Sequence, residues 1–201
     1  TIYTVTFNDG SAPVTFSHPP PPSVTHVFTV GSCGTTSSDG QNQYPNSYQA
    51  NIVATNPCGS SSATVVPVYV NTTPVAGFTI NPDDTVCTAA PVTFTNTTVG
   101  DEIVAGVCDT SPAILWRITP PTGWSVSSGS LGSGFGFDDF PGTWAPSAWL
   151  SGSSDIIVTF TVPGTYDITM LAGVSCGADS LTQSICVEAP PVPDFTLSPL
   201  V

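Results

Sequence analysis

GTYDITMLAGVSCGADSLTQSICVEAPP, Gly164 to Pro191, decides how this chain folds, because its pattern has already occurred once upstream. Set against SYQANIVATNPCGSSSATVVPVYV, Ser47 to Val70, it aligns Tyr166 with Tyr48 and Cys176-Gly177 with Cys58-Gly59, each displaced by 118 positions (166 − 48, 176 − 58). The match continues. Pro191 to Pro199, PVPDFTLSP, repeats Pro74 to Pro82, PVAGFTINP, at a displacement of 117 (191 − 74), so one residue is lost in the last strand. Self-similarity at a fixed spacing is the signature of an array. Within the quoted stretch Tyr166, Ile168, Met170 and Ala172 alternate with Thr165, Asp167 and Thr169, which predicts a half-buried strand. A small-residue turn, Gly173 to Ser180, separates it from a second run, Leu181 to Val187, and the two together predict an antiparallel hairpin closing a sandwich.

The rest of the chain agrees in class. Gly, Pro, Ser and Thr abound, Lys is absent, and no stretch sustains a 3.6-residue period, so the fold class is all-β, tandem immunoglobulin-like sandwiches. At 201 residues the chain exceeds the roughly 100 that one such sandwich needs. It falls short of two whole repeats of the observed displacement. The expected division is therefore 1–73, a sandwich lacking its first strands; 74–189, a complete sandwich; and 190–201, the opening strand of a following unit. The segment 71–74 is short and ends in proline, which predicts a stiff junction.

Charge and cysteine usage restrict the partners. Arg117 is the only Lys or Arg against fourteen carboxylates, for a net charge of −13, which repels a phosphate backbone and excludes nucleic acid as an expected partner. No apolar run approaches the ~20 residues of a membrane helix, so no membrane contact is expected within this segment. Six cysteines without a close CxxC pair point to structural disulfides in an oxidising compartment, and hence to an extracellular, cell-surface location.

Strands are expected at Thr1 to Asn8, Pro13 to Ser17 and Val24 to Val30, then at Val75 to Ile80, Pro91 to Asn96, Ala113 to Thr119, Trp124 to Ser127 and Asp155 to Val162, besides the two hairpins. In Ala113 to Thr119 the alternation sends Ile114, Trp116 and Ile118 inward and Arg117 outward, and a buried tryptophan on that strand suits an immunoglobulin-like sandwich.

YTVTFNDGS, then THVFTV, then the Tyr48 hairpin resemble the PKD (polycystic-kidney-disease-type) repeat, through Tyr3, Phe7, Asp9, Gly10, Ser11, His26, Phe28 and Tyr48. The second unit keeps Trp116, Gly164 and Tyr166 but not the Asp-Gly-Ser turn, and so is similar to the divergent, cysteine-containing PKD-like units of giant surface adhesins in gliding bacteria with type IX secretion. The strand order A-B-C-C′-E-F-G that this resemblance implies places Cys108 and Cys176 at one end of a sandwich and Cys87 and Cys186 at the other. The implied disulfides are Cys108–Cys176 and Cys87–Cys186, with Cys33 left to pair with Cys58 or with a partner in further strands. The implied function is a stiff, disulfide-stapled spacer in a secreted adhesin or filament. Its partners would be neighbouring repeats, other filament subunits or surface polysaccharide.

Other chemistry is thinly represented. His18 and His26 are the only histidines, and His26 lies in an expected strand where the resemblance implies a structural role, so no enzyme is expected. Carboxylate pairs occur at Asp83-Asp84, Asp101-Glu102 and Asp138-Asp139, but neighbouring residues diverge in direction, unlike glycosidase machinery. Calcium suits such acids better, with Asp83, Asp84, Asp101, Glu102 and Asp109 as candidate ligands, although no cofactor is required and no EF-hand spacing is present. The insertion 131–150 concentrates Phe135, Phe137, Phe140, Trp144 and Trp149 among glycines. Such rings either stack on sugars, making the segment a carbohydrate-binding accessory module of a secreted polysaccharide-degrading enzyme, or cover an open sandwich edge. Asn71-Thr72-Thr73 and Asn96-Thr97-Thr98 fit the N-glycan sequon. Thr85 and Ser180 lie in Asp-Ser/Thr-aliphatic triplets, the O-glycosylation pattern of the bacteria named above.

Overall fold

The computed structural model describes residues 1–133 and 149–195, and among these it contains sixteen strands and no helix. The chain divides into two compact units, one of 1–74, 99–112 and 173–178, the other of 75–98, 113–172 and 179–201. Two segments assigned by sequence to the second sandwich, 99–112 and 173–178, belong instead to the first unit.

The second unit is a sandwich of two four-stranded sheets. Its strands in chain order are β7 (Phe78–Asn81), β8 (Thr85–Cys87), β9 (Pro91–Asn96), β12 (Ala113–Thr119), β13 (Trp124–Ser128), β14 (Asp155–Phe160), β15 (Gly164–Val174) and β16 (Gly177–Glu188). One sheet runs β12-β15-β16-β8 and the other β13-β14-β9-β7. Reading β7, β9, β12, β13, β14, β15 and β16 as A, B, C, D, E, F and G gives A-B-E-D against C-F-G, the immunoglobulin arrangement. The short β8 joins the edge of β16 in parallel, Val187 opposite Val86.

Alternation builds the core. Ile156, Val158 and Phe160 on β14 and Val92 and Phe94 on β9 are wholly buried, and the two strands pair antiparallel with Val158 opposite Val92. From the facing sheet Trp116, Ile168, Met170 and Ile185 complete the cluster, Trp116 lying edge-on to Phe78 at 5.4 Å between centroids. Each such side chain contributes about 1.5–3 kcal/mol when taken out of water. Tyr166 fastens the corner that leads into β15: its hydroxyl donates to the carbonyl of Val162 at 2.9 Å, with the Gly123 carbonyl 3.3 Å away. A Cβ at Gly123 would lie 2.5 Å from that hydroxyl, and the residue has φ +88°, so only glycine fits. Two residues after the tyrosine, where antibody domains carry the second cysteine of the inter-sheet disulfide, stands the buried Ile168.

The first unit contains one four-stranded sheet. β1 (Ile2–Phe7), β2 (Val14–Ser17), β5 (Tyr48–Asn56) and β6 (Gly59–Val68) lie in the order β2-β1-β5-β6, the C′-C-F-G half of such a sandwich. Two small hairpins accompany it, β3 (Thr36–Ser38) with β4 (Gln43–Pro45) and β10 (Glu102–Val104) with β11 (Val107–Asp109). Tyr48 repeats the role of Tyr166, its hydroxyl donating to the Gly31 carbonyl at 3.1 Å. The expected strand at Val24 to Val30 does not form. His26 and Phe28 do turn inward, His26 stacked on Phe7 at 3.7 Å and Phe28 on Tyr48 at 4.8 Å, but the segment carries no strand pairing. The physical reason is a missing ladder partner: β14, its counterpart, is held between β9 and β13, and among the described residues the first unit has no strand of the β9 kind.

Candidate functional site

The sequence-predicted residues that the fold brings together lie around the β10–β11 hairpin in the first unit. Glu102-Ile-Val and Val-Cys-Asp109 are joined by Ala105 and Gly106, both at positive φ (51° and 80°), the signature of a two-residue turn that keeps the twist of the strands it joins. Asn71 holds the hairpin from one side: its Oδ1 accepts the Ile103 N–H at 2.8 Å and its amide donates to Ser175 Oγ at 3.4 Å. Asn46, itself at φ 55°, donates to the Gly106 carbonyl at 2.9 Å while its Oδ1 accepts the Gly34 N–H at 2.9 Å. Ser32, fully buried, donates to the Asn46 carbonyl and accepts from the Val70 N–H, tying both anchors to the end of β6.

This framework sets the cysteines. Cys33 is bonded to Cys108, closing a loop of 75 residues, which corrects the pairings Cys33–Cys58 and Cys108–Cys176. Cys58, Cys87, Cys176 and Cys186 are free. Cys108 reaches Cys33 because β11 belongs to the first unit, whereas Cys58 sits at the exposed turn of the β5–β6 hairpin. The pairing Cys87–Cys186 fails on register. Cys186 stands opposite Thr85 and Cys87 opposite Glu188, a stagger of two residues on parallel strands. Such a stagger puts the Cα atoms roughly 8 Å apart, beyond the ~7 Å a disulfide bridges.

The candidate calcium ligands are divided between the two units. Asp101, Glu102 and Asp109 are in the first unit, Asp83 and Asp84 in the second. Glu102 accepts the Ser175 N–H at 3.1 Å, Asp109 the Ser111 N–H at 2.8 Å and Asp83 the Asp84 N–H at 2.7 Å. Asp101 accepts from the Thr72 hydroxyl at 3.4 Å and lies against Gly31, where a Cβ would come within 2.6 Å of its carboxylate. Among the described residues the single grouping of three ligand-type side chains is Cys33, Asp101 and Cys108, two of which are spent in the disulfide. The nearby Cys176 thiol is pushed up in pKa by burial, with the Glu102 and Asp101 carboxylates adding to it.

A second constellation joins His26 to a carboxylate. His26 Nε2 lies 2.6 Å from Asp9 Oδ2, and Asp9 Oδ1 accepts the Ser11 N–H at 3.0 Å. Bonds from Ser11, by hydroxyl and backbone, and from His26 lower the Asp9 pKa to about 2 against some desolvation. The order Ser-Asp-His differs from the nucleophile-base-acid order of a hydrolase, in which the histidine touches the nucleophile. The group fastens the Asp-Gly-Ser turn to the aromatic stack of Phe7, His26 and Phe28. The His18 ring bonds the Tyr3 hydroxyl at 3.1 Å, and its backbone N–H donates to the Thr1 carbonyl at 3.1 Å.

Of the aromatic insertion, Trp149 is buried at 6% exposure, so it presents no face to a ligand. Phe135, Phe137, Phe140 and Trp144 lie outside the described residues, as do Asp138 and Asp139. Thr85 and Ser180 are exposed on β8 and β16. The Asn71 and Asn96 amides have backbone duties: Asn71 as above, Asn96 Oδ1 accepting the Thr98 N–H at 2.9 Å. What sequence reasoning missed was the β10–β11 hairpin and its anchors. The available signal was Val104-Ala105-Gly106-Val107, a Gly-ended two-residue turn between short apolar runs.

No family model and no curated protein matches the chain. Among solved structures, it is similar to a chimeric titin Z1Z2 carrying a decorin-derived peptide (12% identity, TM-score 0.34, 60% of this chain and 99% of that one). It is also similar to domains 4 and 5 of the S-layer protein SbsC (15%, 0.35, 71% and 58%). A third is the N-terminal eight immunoglobulin domains of the Down syndrome cell adhesion molecule (14%, 0.35, 72% and 16%). The architecture rests on the strand order given above, not on these distant likenesses.

Proposed function

We propose that the chain is a structural repeat segment of a long secreted cell-surface adhesin or filament, built from PKD-type sandwiches such as those of type IX-secreted proteins in gliding bacteria. The observation that carries this reading is the repeat at the level of structure. The Tyr48 and Tyr166 hairpins, β5–β6 and β15–β16, are built alike, each tyrosine buried and tied by its hydroxyl to a backbone carbonyl. The Cys33–Cys108 bridge supports an oxidising, extracellular setting, and a net charge of −13 keeps like chains apart in solution. The side chains that matter most in both units hold backbone to backbone. That is the work of a spacer.

Peptide mapping of the intact native protein with a non-tryptic protease tests this reading. Flanking sequence with further copies of the tyrosine and Cys-Gly hairpin is expected. A native protein with no further copy, or saturable binding on a glycan array that is lost in Trp144→Ala, would overturn it in favour of a carbohydrate-binding module.

A further inference from the structure

The Cys33–Cys108 bridge has a carboxylate beside it. One oxygen of Asp101 and the two sulfurs lie within 4.8 Å of one another, and all three side chains are half-buried. A disulfide offers a carboxylate no proton, and the hydrogen bond Asp101 accepts from the Thr72 hydroxyl is long, at 3.4 Å. The chain nevertheless makes room for it, since a Cβ at Gly31 would come within 2.6 Å of its Oδ1. Two thiolates and a carboxylate are, by contrast, a donor set for a zinc-class ion. Two sulfurs on one tetrahedral ion stand roughly 3.8 Å apart, and a sulfur and an oxygen roughly 3.6 Å, spacings that fall inside the 4.8 Å the three donors already span. Hydrogen bonds as well as the bridge hold these donors together. Asn46 ties residue 34 to residue 106, accepting the Gly34 N–H and donating to the Gly106 carbonyl, each at 2.9 Å, and Asn71 accepts the Ile103 N–H at 2.8 Å. Reduction leaves those bonds intact.

We propose that in the reduced chain Cys33, Cys108 and Asp101 form a site for a zinc-class divalent cation, so that the bridge and the bound ion are alternative states of one place in the fold. Binding forms two metal–sulfur bonds and one metal–oxygen bond and releases the two thiol protons to solvent, while the fourth tetrahedral position falls to water. No electron moves in that step. Opening the bridge takes two electrons, supplied in the test below by a phosphine in water, which leaves as its oxide and gives each sulfur a proton. The newly made chain, before its bridge closes, is the same reduced form. In it the ion clasps residues 33 and 108 ahead of the disulfide.

The test uses the full 201-residue chain carrying Cys58→Ser, Cys87→Ser, Cys176→Ser and Cys186→Ser, four exposed positions whose thiols would otherwise compete. It is reduced with the phosphine and titrated with divalent cobalt and then with zinc, while tyrosine near-ultraviolet dichroism reports that the first unit is folded. The expected result is one cobalt per chain, with thiolate-to-cobalt absorption that zinc displaces, and no such absorption in the unreduced protein. Adding Cys33→Ser should abolish the absorption, and Asp101→Asn should weaken the affinity by about tenfold or more. Asp109→Asn, at a carboxylate outside the group, should leave it unchanged. Zinc should also raise the tyrosine-detected urea midpoint of the reduced chain. An absence of cobalt absorption, an equal affinity in Asp101→Asn, or absorption that appears only once the tyrosine dichroism is lost would each overturn the proposal.

Discussion

Replacing Cys33 by serine releases the 75-residue loop that the Cys33–Cys108 bridge closes. The loop-closure relation gives about 15 cal/mol/K for a loop of that length, or about 4.5 kcal/mol at 25 °C. With a urea dependence of about 1–3 kcal/mol per molar, the midpoint of the first unit should fall by about 1.5–4.5 M. The two units can be read separately, because all four tryptophans lie in the second unit, at 116, 124, 144 and 149, and four of the five tyrosines in the first. Tyrosine near-ultraviolet dichroism should therefore show the fall, and so should wild-type protein treated with reductant. Alkylation under denaturing, non-reducing conditions should label four thiols, Cys58, Cys87, Cys176 and Cys186, and six after reduction. The reasoning is refuted if Cys58→Ser produces the same loss as Cys33→Ser, or if Cys33→Ser leaves the tyrosine transition where it was.

Tyr166→Phe removes the hydroxyl that the Val162 carbonyl accepts from, and should cost about 1–2 kcal/mol, measured as a shift of the tryptophan-detected urea midpoint. Ile168→Ala empties a wholly buried site between the sheets and should cost about 2–5 kcal/mol by the same measurement. The Asp9 pKa, lowered to about 2 by Ser11 and His26, lies below its unfolded value, so its contribution is complete above about pH 4 and fades as pH falls towards 2. The gap in urea midpoint between wild type and Asp9→Asn should accordingly close across that window, and a gap independent of pH would remove the carboxylate from the account. Chelation with EDTA should leave both unfolding transitions unmoved, since Asp83, Glu102 and Asp109 already accept from backbone N–H groups and Asp101 from a hydroxyl; a lowered midpoint restored by calcium would contradict this.

The sequence reveals much of the second sandwich because its strands are long enough to show their period. Ile156-Val158-Phe160 and Tyr166-Ile168-Met170 each state an inward face, and the fold obeys both. The strand expected at Val24 to Val30 does not form, since a suitable run of residues describes one chain and a ladder requires two. The cysteine pairing was hidden for another reason. β10 and β11 have three residues each, too few for a period, so nothing local shows that Cys108 belongs with residue 33 and not with residue 176. Trp149 illustrates a third limit: an aromatic among glycines suits either a sugar platform or a cover over a sheet edge, and only tertiary packing decides that this one is buried.

The parallel contact of β8 with β16 determines how the second sandwich meets tension. β8 lies near the start of that unit and β16 at its end, and because they point the same way, pulling the two chain ends apart drags them in opposite directions along their length. The pairs Thr85 with Cys186, Val86 with Val187 and Cys87 with Glu188 are then loaded in shear and must slip together, where an antiparallel edge would unzip one pair at a time.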